Sequence, residues 1–132
     1  MKLIADTNIL VRAVVADDVK QAKAAAQILK KAELIAIPLV VLCEFVWVLR
    51  KVYDFSRADI AAAIRRLMAT PNVELNRPAV EAGLGIFESG GDFADGIICH
   101  EGKWLGGTHF VSFDKEAVKL LKAQGEAVHL LQ

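Results

Sequence analysis

Short apolar runs that stop at an acidic residue alternate along this chain with longer stretches in which apolar positions recur every three or four residues. Residues 2–5 form the first run, ending at Asp6, and their continuity predicts a buried strand. Asp6, Thr7 and Asn8 then offer capping side chains ahead of a helix over 9–15. Asp17 and Asp18 open a second helix, with Val19, Ala22, Ala26 and Leu29 on one face and lysines on the other. A strand over 34–37 leads to Pro38, which suits the first turn of a helix reaching to about residue 53. Ser56 and Asp59 have the spacing of a capping box, and Ile60, Ile64, Leu67 and Met68 form the apolar stripe behind it.

The second half repeats the alternation. Residues 73–75 predict a strand, and 78–89 a helix that has to tolerate Gly83 and Gly85. Gly90-Gly91 breaks the chain, a helix starts near Asp92 or Phe93, and Gly106-Gly107 breaks it again. Residues 109–113 have strong β-propensity and end at Asp114; a helix to about Gln124, Gly125 and a strand over 127–131 complete the chain. Strands and helices that alternate in this way predict an α/β fold with a mainly parallel sheet, in one domain spanning 1–132.

In such sheets ligands bind beyond the carboxyl ends of the strands, where Asp6 and Asp114 are expected. Glu44 is the one charged residue between Ile35 and Leu49. A carboxylate on a helix apolar on nearly all sides is expected to be buried, and to need a cation as partner. Asp92 and Asp95 have the spacing of a helix cap and its N3 position, so Asp92 is read as the cap and Asp95 as a ligand, with Asp92 a possible outer-shell group. Asp6, Glu44, Asp95 and Asp114 together make a hard oxygen donor set, suited to one or two Mg²⁺ or Mn²⁺ ions that would activate water at a phosphodiester. His100, His109, His129, Cys43 and Cys99 have no zinc-ligand spacing.

Composition refines this reading. Of 132 residues 55% are hydrophobic and 24% charged, a globular balance whose apolar excess suggests a homodimer or another tight partner. Lys plus Arg equals Asp plus Glu at 16 each, so a polyanion would be drawn by local patches such as Arg12, Arg50, Lys51, Arg65 and Arg66 and by bound metal. Cys43 and Cys99 sit in apolar runs and read as reduced core residues of a cytoplasmic protein. Met1-Lys2 leads directly into the first strand without the pattern of a signal peptide. The most apolar stretch, 34–49, contains Pro38 and Glu44 and is shorter than the roughly 20 residues of a membrane span.

The blocks Leu3-Ile4-Ala5-Asp6-Thr7-Asn8, Pro38 through Glu44, Asp92-Phe93-Ala94-Asp95-Gly96-Ile97-Ile98 and Val111-Ser112-Phe113-Asp114-Lys115 resemble, in order and spacing, those of PIN-domain ribonucleases, in particular the VapC-type toxins of toxin–antitoxin pairs. The resemblance implies a three-layer α/β/α sandwich and Mg²⁺- or Mn²⁺-dependent cleavage of single-stranded RNA. It implies Asp6, Glu44, Asp95 and Asp114 as catalytic, metal-site acids, with Thr7, Asn8 and Ser112 as accessory polar groups. It further implies a homodimer and a cognate antitoxin docked between the early helices. The stretch 98–107 is bulkier and more polar than the Ala-rich helix usual there, and within it Trp104 is expected to pack into the core. The competing reading is a catalytically silent PIN-like scaffold that binds RNA or a protein partner.

Overall fold

Each segment predicted from the pattern forms the expected type of element, with ends displaced by one or two residues. The computed structural model describes residues 1–132 in the order β1 (Lys2–Ile4), α1 (Thr7–Val15), α2 (Val19–Lys31), β2 (Leu34–Ala36), α3 (Leu39–Lys51), α4 (Arg57–Ala69), β3 (Val73–Glu74), α5 (Arg77–Glu88), α6 (Phe93–Trp104), β4 (Phe110–Ser112), α7 (Lys115–Ala123) and β5 (Val128–Leu130). All strand pairs are parallel, as the α/β class requires. The chain forms two compact units, Met1–Asn76 and Arg77–Gln132. No helix is long and apolar enough to cross a membrane.

In the N-terminal unit the strand order is β1-β2-β3, with Leu3 opposite Ile35 and Ala36 opposite Glu74. Parallel neighbours need crossovers, and the helix pairs α1–α2 and α3–α4 supply them. Leu10 and Val11 of α1, Ile35 of β2, Leu42, Phe45 and Leu49 of α3, and Ile60 and Ile64 of α4 are buried. Each such side chain contributes about 1.5–3 kcal/mol by leaving water. Asn72 ties the end of α2 to the start of β3, its amide donating to the Ala32 carbonyl at 2.9 Å. Helix α2 itself sits lightly. Its inner stripe is Ala22, Ala25 and Leu29, whereas Val19 and Ala26, expected on the buried face, are exposed. Val19 is the first residue of the helix.

In the C-terminal unit β4 and β5 pair in parallel, with Val111 opposite His129, and α7 forms the crossover between them. Ile86, Cys99 and Leu121 make a core to which Phe110, Leu120 and Val128 add partly buried surface. Helices α5 and α6 pack closely, with Phe87 and Phe93 edge to face at 6.4 Å between ring centroids. Cys99 is the buried cysteine foreseen, while Cys43 is only half-buried; neither is in a disulfide. Gly125 ends α7 with a φ of 90°, a conformation costly to residues with a Cβ.

Candidate functional site

Asp6 and Asp114 stand at equivalent positions, each just beyond a strand and each the N-cap of the following helix. The Asp6 carboxylate accepts from the Thr7 N–H at 2.8 Å. The Asp114 carboxylate accepts from the N–H groups of Glu116 and Ala117, at 3.0 and 3.1 Å. Ser112, one of the accessory residues, accepts from the Asp114 N–H at 2.9 Å and so fixes the backbone that carries this acid. Capping holds one carboxylate oxygen and leaves the other available to a ligand.

Thr7 is the one buried polar residue of the chain, and its hydroxyl has no hydrogen-bond partner. At the first position of α1 it has no carbonyl one turn back to bond, unlike a threonine in a helix interior. Asn8, beside it, is exposed.

Glu44 departs from its expected environment. The buried face of α3 is Leu42, Phe45, Val46 and Leu49, and Glu44 lies on the opposite, exposed face with Val40, Trp47 and Lys51. The apolar run hid this amphipathicity, because two of the outward residues, Val40 and Trp47, are themselves hydrophobic yet 70% and 59% exposed. Glu44 is therefore a solvent-accessible carboxylate. Trp104, at the end of α6, is 81% exposed and does not pack into the core as expected, and Ile98 also points outward.

Asp92 caps α6, accepting from the Ala94 N–H at 3.1 Å, and Asp95 occupies the first turn. The Asp95 carboxyl titrates above its ordinary 3.8, first because it is partly buried and then because the charges of Asp92 and Asp114 oppose its ionisation. Asp92, Asp95 and Asp114 thus form one electrostatic group within the C-terminal unit. Asp92 and Asp114 act on Asp95 through their charges; in neither unit do three His, Cys, Asp or Glu side chains converge as a ready metal cage. An all-oxygen donor set in which burial and neighbouring charge penalise the ionisation of Asp95 fits a hard divalent cation, which would relieve that penalty. Asp6 and Glu44 belong to the N-terminal unit, Asp95 and Asp114 to the C-terminal one.

The unit holds a second polar grouping. Lys103 and Glu126 pair at 2.8 Å, and the Cys99 thiol donates to the other Glu126 oxygen at 3.6 Å. A cavity of about 330 Å³ lined by Ile98, Cys99, Lys103, His109, Phe110 and Val111 contains none of the expected ligands. Arg12, one of the local positive residues considered above, is engaged by Asp17 at 3.1 Å.

The model of one protein family, described as PIN domain, matches residues 3–122, a span that includes Asp6, Glu44, Asp92, Asp95 and Asp114. No curated protein matches the chain.

Proposed function

The chain belongs to the PIN-domain family, and from that premise we propose that it is a Mg²⁺- or Mn²⁺-dependent endoribonuclease acting on single-stranded RNA. PIN domains are typically metal-dependent nucleases, which supports a phosphodiester hydrolase. The observation that carries the reading is the position of the acids. All four fall inside the matched span, two as caps beyond strands, one on an open helix face and one in a first helical turn.

In this reading Asp6, Glu44, Asp95 and Asp114 are the metal ligands, and Asp92 an outer carboxylate. The bound cation supplies activated water and neutralises charge on the phosphate. The chain's own residues prepare that chemistry. The helix termini fix Asp6 and Asp114, Ser112 holds the Asp114 backbone, and Thr7 presents an unpaired hydroxyl next to Asp6. The four motif blocks further support a VapC-type toxin that works as a cytoplasmic homodimer and is restrained by a cognate antitoxin.

The test is cleavage of structured and unstructured RNAs by purified protein, with and without Mn²⁺, beside an Asp95→Asn variant. Metal-dependent cleavage of the unstructured RNA that is lost in the variant is the expected result. Binding without cleavage would overturn the nuclease in favour of a scaffold, and equal cleavage by both proteins would identify a contaminant. A neighbouring reading frame for a small DNA-binding protein that abolishes cleavage on mixing is the expected sign of the toxin role.

A further inference from the structure

Helix α3 repeats every 3.6 residues, so Val40, Glu44, Trp47 and Lys51 fall within about 60° of arc on one side of it. The opposite side is sealed in the core by Leu42, Phe45 and Leu49. From Glu44, Trp47 is about 4.5 Å further along the axis and Lys51 about 10.5 Å further. The outer stripe thus presents a carboxylate, then an indole, then an ammonium group, all open to solvent. Lys51 makes no ion pair, and Trp47 makes no ring contact with another residue of the chain.

Resting on the nuclease reading, which makes Glu44 a metal ligand, we infer that this stripe is the substrate track. Trp47 stacks on a base of single-stranded RNA, and Lys51 holds a phosphate of the same strand. Tryptophan exposes a large apolar ring at considerable cost, and a flat π-face is what an unpaired base offers in return. A base-paired strand keeps its bases stacked on one another, so the track selects unpaired RNA. The adjoining charge also favours RNA over an apolar protein surface. A hydrophobic partner would have to desolvate both the Glu44 carboxylate and the unpaired Lys51 ammonium, whereas a phosphate chain pairs with the ammonium and shares the metal of the carboxylate.

The chain has two tryptophans, so a Trp104→Phe variant leaves Trp47 as the sole indole reporter. Its fluorescence is titrated with a short unstructured RNA in EDTA, where no cleavage occurs, and with inorganic polyphosphate and an RNA duplex as controls. Saturable quenching by the single strand, and none by polyphosphate or duplex, is expected. In the otherwise native protein Trp47→Ala is expected to weaken binding of the single strand about tenfold or more. Lys51→Glu is expected to weaken it and to reduce its salt dependence by about one charge. Circular dichroism of each variant checks folding, and both sites are on the surface. Unchanged affinity of Trp47→Ala with folding intact overturns the track, as does a dimer of the native protein that Trp47→Ala dissociates while RNA affinity stays the same. The two readings separate in the same experiments. Quenching without metal-dependent cleavage keeps the track and rejects the nuclease, while full cleavage by Trp47→Ala does the reverse.

Discussion

Gly96 of α6 lies so close to the carbonyl of Ala82 in α5 that a Cβ on Gly96 would collide with it, and would stand 2.8 Å from the Gly83 Cα as well. Both neighbours are backbone, so no side-chain rotation relieves the contact. Gly96→Ala is therefore expected to destabilise the fold by about 1–3 kcal/mol, the usual cost of overpacking. Gly102, further along α6, has open space where its Cβ would be. Gly102→Ala is expected to be neutral or stabilising by up to about 1 kcal/mol, since alanine loses less backbone entropy in a helix. Denaturant titration of the two variants checks the contrast.

The raised titration of Asp95 fixes the sign of a pH effect. The folded chain binds this proton more tightly than the unfolded chain, whose carboxyl titrates near 3.8. Below that pH the group is protonated in both states and imposes no penalty. As pH rises through the raised folded value, ionisation beside Asp92 and Asp114 costs stability, and the cost is complete above it. Metal-free Asp95→Asn is therefore expected to melt higher than the native protein at pH 7, with the difference vanishing near pH 3. Saturating Mn²⁺ reverses the order. At a hundredfold excess over its Kd a ligand adds about 2.7 kcal/mol to the native protein, and the variant gains less. Thermal melts at the two pH values, with and without Mn²⁺, decide it.

Where single residues dominate, the chain could be read directly. Asp92 was legible as a cap, Ser56 and Asp59 as a capping box, and Asp6 and Asp114 as strand-end acids, because local backbone chemistry governs each. Glu44 was legible as a candidate for a reason the fold does not support. Its apolar surroundings suggested burial, but hydrophobicity does not say which face of a helix turns inward, and Val40 and Trp47 turn outward. Trp104 failed for a similar reason, since a large ring at a helix end packs only if another element reaches it. That clustered acids oppose one another's ionisation was legible, but which charges act on Asp95, those of Asp92 and Asp114, was hidden, as Asp114 reaches α6 only through β4 and α7. The bond between Cys99 and Glu126, 27 residues apart, was equally hidden.

That bond predicts a reactivity. The Cys99 thiol is pushed up by burial, then by the charge of Glu126 and by its hydrogen bond, with Lys103 pulling the other way. Its thiolate is therefore scarce at neutral pH, and Cys43, half-buried, is expected to react first with a maleimide. Glu126→Gln removes the charge that opposes thiolate formation, so alkylation of Cys99 is expected to begin at lower pH in the variant. The Lys103 pair lost with it is partly exposed and contributes about 1 kcal/mol. Mass spectrometry of the labelled peptides across a pH series reads both effects.

Asp114 and Asp6 each serve a helix and, in the proposed reaction, a metal, and the two roles can be separated by the substituent chosen. Asparagine caps a helix about as well as aspartate, because its carbonyl oxygen still accepts the N–H groups of Glu116 and Ala117. It carries no charge and is a poor ligand for Mg²⁺. Asp114→Asn is therefore expected to hold stability within about 0.5 kcal/mol while cleavage falls about a hundredfold or more. Asp114→Ala loses the same activity and in addition about 1 kcal/mol of stability, because two N–H groups at the start of α7 lose their acceptor. The same pair of substitutions at Asp6 is expected to show a smaller stability gap, since its carboxylate accepts a single N–H, from Thr7. Equal activity in the aspartate and asparagine forms at either position would remove that residue from the metal set and leave it a helix cap alone.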